Sequence, residues 1–482
     1  MATGSTDFQA MTHPNTRRDF LGLAFKSALA LPLAAAPLSG APTFPTGGAT
    51  PEKKAGAPAA AVRLSVTDFG AVGDGKQKNT VSIQEAIDRC SVLGGGEVVV
   101  PGGAFLSGAL RLRSLTTLVL EEGATLLGSP DMDDYPVTQV RWEGKWIQGH
   151  AALLYAIDEH DIAVRGPGTI RGADVLGGRP TPQMPLRHPA LIEPINCRNV
   201  RLEGFSAHYH LMWCVHPTYS DNIRITGLTI RSTGGNGDGI DIDSCTHVVI
   251  DGCDIATGDD CIAIKSGRGM EGYLLARPTE DVVITNCRFA DAIFACIGIG
   301  SETSGGIRGV RIEHCTFTHA RTFALYIKSR VGRGAYIEDI TARDLDVSGM
   351  EGGFLRLNLT GSGIRDPDPV PGAGGIPAVK RLRFTDIRVK DVPVLVDARA
   401  VHPDKPLEGF TLSAISGTCR QGLLLANIRG AEIGELHLSG YGGPLIRASH
   451  VTGHGLSGAS RDLELPEIPE VIAAPAVPYR LH

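Results

Sequence analysis

The chain has 482 residues, of which 61 are glycine, 42% hydrophobic and only 5% aromatic. Glycine at nearly twice its usual share of about 7% marks a turn-rich chain that still carries enough apolar material for a core, which excludes a disordered protein and a membrane bundle. Lys and Arg number 46 against 52 Asp and Glu, and the net charge of -6 excludes a general attraction to nucleic acid or anionic lipid. Any acidic ligand must be held by a local basic patch.

Taken in chain order, the first signal is Thr16-Arg17-Arg18-Asp19-Phe20-Leu21, a twin-arginine pattern. It precedes the mildly apolar stretch Leu21 to Leu38 and the small residues Ser39 and Ala41. Residues 1–41 therefore read as a twin-arginine signal peptide cleaved near Ala41, which predicts use of the Tat export machinery and a periplasmic or secreted location. Lys26, Pro32 and Pro37 interrupt the run too often for a membrane span. Residues 42–61, rich in Ala, Pro, Gly and Thr, read as a linker, and residues 62–482 as one folded domain. The ten cysteines need not form disulfides, because a chain of this length can build its core without them.

Asn79 to Leu93 places Val81, Ile83, Ala86, Ile87 and Cys90 near helical spacing and stops at Gly94-Gly95-Gly96, predicting a short N-terminal capping helix. Glycines that follow a helix instead of opening one exclude a dinucleotide-binding fingerprint. From Val200 one template recurs: apolar-x-apolar-x-x-small-apolar-x-apolar. It matches at Val200 to Phe205, Ile223 to Leu228, Val248 to Cys253, Val282 to Cys287 and Val310 to Cys315, with weaker copies at Leu382 to Val389 and Phe410 to Ile415. Each unit alternates like a strand, and no stretch between units suits a crossover helix. The fold class predicted is all-β, a single-stranded parallel β-helix whose coils bury one face against the next. In this register Phe205, Leu228, Cys253, Cys287 and Cys315 point inward, the cysteines forming a column of small hydrophobes. No CxxC pair occurs, so no metal site is expected.

Within the repeat lie Asn236-Gly237-Asp238-Gly239-Ile240-Asp241-Ile242-Asp243 and Gly258-Asp259-Asp260-Cys261-Ile262-Ala263-Ile264-Lys265. Asp238 and Asp259 are 21 residues apart, about one coil, so Asp238, Asp259 and Asp260 should converge on one outer face with room left by the flanking glycines. Carboxylates this close cannot all ionise independently, so one should keep a proton near neutral pH. One protonated and one charged carboxyl is the pairing that cleaves a glycosidic bond, and it requires no organic cofactor.

These motifs resemble glycoside hydrolase family 28, the polygalacturonase family. The resemblance runs from about Val66 to beyond Gly334 and includes Asp68 to Gly75, Arg141-Trp142-Glu143-Gly144, and Trp213 with His216-Pro217. It implies a right-handed parallel β-helix and inverting hydrolysis of α-linked galacturonosyl bonds in pectin, with Asp259 matching the general acid and Asp238 and Asp260 the residues that activate water. The chain departs from the pattern at Ala295, where the family commonly has the histidine of Gly-His-Gly, and at Tyr326-Ile327-Lys328, where it has Arg-Ile-Lys. Lys328, Lys265, Arg268, Arg330 and Arg333 are the candidates for holding an anionic pectic chain or oligogalacturonide, with His216 and Tyr326 beside them. His208 and His210 could border the same cleft, and Trp213 either stacks on a sugar or packs beneath a loop. The inserts Gly172 to His188 and Gly361 to Ile376 predict exo action by walling off the groove. The other readings are a rhamnogalacturonan-directed hydrolase, a β-helix lyase using Lys or Arg as base, and a non-catalytic carbohydrate-binding β-helix. The coils after Gly352, including Asp366-Pro367-Asp368-Pro369, carry no chemistry the sequence identifies.

Overall fold

The template's first residues stack on one another in the computed structural model, which describes residues 62–209, 212–474 and 479–481. Val200 pairs with Ile223, Ile223 with Val248, Val248 with Val282, and Val282 with Val310, all parallel and in register. The column extends beyond the units read from sequence, to Ile162 at one end and through Ile340, Leu382 and Phe410 at the other. The coils form a right-handed parallel β-helix, the hand that parallel crossovers adopt almost without exception. The expected signal peptide and linker, and His210, lie outside the described residues.

One backbone requirement explains the "small" position of the template. Gly204, Gly227, Gly252, Asn286 and His314, each just before an inward Phe, Leu or Cys, have φ of 78°, 63°, 63°, 53° and 55°. A single left-handed residue turns the chain from one strand to the next. Glycine adopts that region without penalty, and Asn and His are among the side chains that tolerate it best.

Inside the coils, Cys253, Cys287 and Cys315 are buried with neighbouring thiols in contact. Phe289 and Phe317 pack as a tilted pair with ring centres 5.0 Å apart, and Phe354, Phe384 and Phe410 continue an aromatic column. The helix Thr80–Val92 adds Ile83, Ala86, Ile87 and Cys90 to the same core. Val81, expected on that apolar face, is 69% exposed, because two residues of helix turn it about 200° away from Ile83.

Two features outside the repeat border the face that carries the carboxylates. Val137–Trp142 and Lys145–His150 form an antiparallel hairpin whose turn residues Glu143 and Gly144 both have positive φ, 44° and 77°, the twist that matches paired strands. After Ser460 the chain doubles back without regular structure. There Arg399 Nη1 donates to the Glu464 carbonyl at 3.4 Å, and the Gly372 amide to the Ile472 carbonyl at 2.7 Å.

All ten cysteines are free and buried. A thiol-reactive chromogen should therefore titrate close to none of them in the native protein and ten after denaturation without reductant; a shortfall after denaturation would reveal disulfides.

Candidate active site

Two consecutive coils build the site. Ile240 pairs with Ile262 across the sheet, which sets Asp238 opposite Asp260 and leaves Asp259 one residue earlier. The Gly239 amide donates to the Asp260 carbonyl at 3.0 Å and locks that alignment. Each of Asp238, Asp259 and Asp260 offers a carboxylate oxygen within 4.8 Å of the others'. Asp238 and Asp260 are buried, Asp259 half-buried. The flanking glycine Gly258 leaves no room for a ligand, contrary to the expectation: a Cβ there would fall 1.9 Å from the Gly234 carbonyl oxygen of the neighbouring coil. Close backbone packing requires it.

Burial and the neighbouring Asp260 charge push the Asp259 carboxyl up to about 6. Burial, with Asp241 and Asp259 beside it, raises Asp238 well above the usual carboxylate range. Asp260 is held differently: Lys328 Nζ reaches its Oδ2 at 2.6 Å and the Ala295 amide donates to its Oδ1 at 3.1 Å. Ala295, where the resemblance implies a histidine side chain, thus contributes its backbone amide. Lys265 Nζ lies 2.5 Å from Asp241 and 3.8 Å from Asp238, over the ring of Trp213 at 4.2 Å. These two ammonium groups already neutralise part of the triad's charge, so a metal ion bound by the three carboxylates would have to compete with them.

The cleft of about 260 Å³ above the triad is lined by Asp238, Asp259, Asp260, Lys265 and Lys328 as expected. Residues with no role assigned from sequence line it too: Glu143 from the hairpin turn, Arg179 from the first insert, Phe294, Glu302, and Ser362 to Ile364 from the second insert. Arg179 and Glu143 are paired at 2.9 Å. Burial and the nearby Glu302 charge raise Glu143, while Lys265, Arg333 and Lys328 overcome burial to hold Glu302 below its ordinary value.

Four expected substrate contacts are placed otherwise. His216 is fully buried, its Nδ1 2.8 Å from Glu193, which also accepts two bonds from buried Arg187 at 2.6 and 2.7 Å. Arg333 is equally buried and bonds to Asp366 and, at 2.9 Å, to the Ile364 carbonyl. Arg268 lies 3.2 Å from the same Asp366 and 3.6 Å from Glu143. These arginines anchor the second insert, and with Lys145 on Asp368 at 2.8 Å they give Asp366 and Asp368 the structural task that the sequence left blank. Tyr326 is buried, stacked on Phe294 at 5.5 Å. Trp213 is buried beneath Lys265 and stacks on Trp142 at 4.9 Å.

A model of glycosyl hydrolases family 28 matches residues 90–355. A probable polygalacturonase from Vitis vinifera is 31% identical over 369 residues, covering 73% of each chain. Among solved structures, a hyperthermoactive exopolygalacturonase from Thermotoga maritima aligns over 79% of this chain and 91% of its own, with a TM-score of 0.63 and 27% identity. A family 28 exopolygalacturonase from Yersinia enterocolitica aligns over 82% and 78% with a TM-score of 0.73; at 22% identity that likeness concerns the fold.

Gly298 faces the triad without a side chain, and a Cβ there would fall 2.5 Å from Asp260 Oδ2 and 3.0 Å from Lys328 Cε. Gly298→Ala should displace that ion pair and lower kcat by about a hundredfold with little change in the circular dichroism of the sheet. A kcat within twofold of the parent would show that the pair's position does not matter.

Proposed function

The chain belongs to glycosyl hydrolases family 28, and from that premise we propose that it is an exported enzyme hydrolysing α-linked galacturonosyl bonds of pectin from chain ends, with inversion. The observation that carries the reading is the asymmetry of the triad. Asp259, half-buried and pushed up to about 6 by burial and the Asp260 charge, protonates the leaving oxygen. Asp260, fixed by Lys328 and the Ala295 amide, orients a water and takes its proton, with Asp238 completing the water's hydrogen bonds. Arg179 and Ser362 to Ile364, reaching the cleft from the two inserts, support exo action by narrowing it. The twin-arginine pattern supports delivery by the Tat machinery to the periplasm or beyond. Among the described residues no helix is long and apolar enough to cross a membrane.

Inverting pairs usually stand roughly 6.5–9.5 Å apart, whereas a direct nucleophile needs about 5–5.5 Å; the 4.8 Å bound here is between single oxygens, one chosen from each group. Proton NMR of the first-formed product decides between them. The β anomer is expected, and an α product would mean that an aspartate attacks the sugar directly.

A lyase reading is disfavoured because Asp241 and Asp260 overcome burial to raise Lys265 and Lys328, keeping them charged and poor as bases. The aromatic pair Phe294–Tyr326, in place of an arginine, favours a less acidic rhamnogalacturonan backbone as the second substrate to test. A reducing-end assay on homogalacturonan and rhamnogalacturonan should show release from one polymer. Asp259→Asn should lower that release by about 10²–10⁴-fold; an active variant would remove Asp259 as the acid. Because Asp259 acts in its protonated form, kcat/KM should fall as pH rises through about 6, approaching tenfold per unit beyond it. A flat profile up to pH 8 would contradict that role.

A further inference from the structure

We infer that Arg356 and the cavity beside it form a second carboxylate-binding site, which holds a uronate residue of the same polymer two or three sugars from the scissile bond. The inference rests on the pectic reading above and names what recognises the polymer's charge.

The cations at the cleft are already matched. Lys265 lies on Asp241, Lys328 on Asp260, Arg179 on Glu143, and Arg268 and Arg333 on Asp366. Asp238, Asp259 and Glu302 add further acidic groups at the same place. Such a cleft has no surplus positive charge to draw in a polyanion, and the net charge of -6 supplies none at long range. Recognition of a polyuronate therefore needs a cation nearby that is not already paired.

Arg356 meets that need. It is the register partner of Tyr326, one coil further along the same face. Its guanidinium carbon sits 5.5 Å from the ring centre of Tyr326 and 5.6 Å from that of Phe323, contacts that orient the group without neutralising it. Its other register partner, Asp397, is occupied by Arg399 at 2.8 and 3.0 Å. Among the described residues, no carboxylate lies within ion-pair distance of Arg356.

The half-buried Arg356 opens on a cavity of about 410 Å³, shared with Asn358, Thr360 and the Asp397–Arg399 pair, in the size range of small-ligand sites. Glu464 and Glu467 also line it; both are exposed, and solvent screens their charge. Asn358 lines this cavity and is the register partner of Lys328, which lines the catalytic cleft, so the two spaces sit on adjacent coils. From the strand Ile262–Lys265 to Gly353–Asn358 the chain takes three steps across the sheet, about 14 Å at the usual strand spacing. A pyranose unit spans about one such step, so a pectic chain lying along the axis brings a carboxylate to Arg356 two or three residues from the triad. The guanidinium can take that carboxylate through two parallel hydrogen bonds, a pairing that a methyl ester or a neutral sugar lacks.

The test is calorimetric binding of saturated oligogalacturonides of two and six units to the full chain carrying Asp259→Asn, with and without Arg356→Gln, alongside turnover by the chain with Asp259 intact. The substitution should weaken binding of the six-unit chain about tenfold more than that of the two-unit chain. Arg356→Lys should recover part of the loss, and the fully methyl-esterified six-unit chain should not distinguish the proteins. Equal effects at both lengths, or none, would overturn the inference. Arg356-dependent binding without any turnover would refute the hydrolase reading and leave this site standing, whereas no binding of the six-unit chain by any variant would overturn both.

Discussion

Every functional distance in this molecule derives from one constraint, the in-register stacking of parallel strands at about 4.8 Å, renewed in each coil by a left-handed corner residue. Stacking at that pitch places like residues on like. Inside, it yields columns of Cys, Phe and branched aliphatics. Outside, it forces Asp238 against Asp260 and Asp259, a crowding that no isolated loop would tolerate without cost. The raised pKa values of Asp238 and Asp259 are the electrostatic expression of the sheet's own geometry, with burial the larger contributor to both.

The same pitch sets how the crowding is relieved. Lys265 and Lys328 rise from strands on either side of Gly298, and each reaches a different aspartate. Among the described residues Asp259, the most exposed of the three, has no ion pair. Of the three, only Asp260 has a close ammonium partner, while Lys265 sits nearer Asp241 than Asp238, and both Asp238 and Asp259 remain raised.

Much of this was legible in the sequence because the repeat carries its own register: aligning Val200, Ile223, Val248, Val282 and Val310 by pattern reproduces the strand pairing. The unit at Ile340 was not read, since Ala342 stands where the template has a large apolar residue, and a long insert separates it from Leu382. The three aspartates stood out because their spacing matches a coil. His216, Arg268 and Arg333 read from sequence as substrate contacts, whereas the carboxylates they meet are Glu193 and Asp366, because nearness along the chain says nothing about whether a side chain faces a carboxylate or open water. Glu143, Arg179 and Ser362 to Ile364 reach the cleft from a hairpin and two inserts, where no periodicity exists to be read.

A stack in which each coil touches only its neighbours can unzip from its ends, since losing the outermost unit costs only one interface. The segment after Ser460 alters that. By running from the final coil back past Arg399 to Gly372, it ties the outermost turns to the insert that Asp366 anchors beside the cleft. Fraying at the C-terminal end must then break these hydrogen bonds as well, which links the opening of the last coils to the insert beside the cleft.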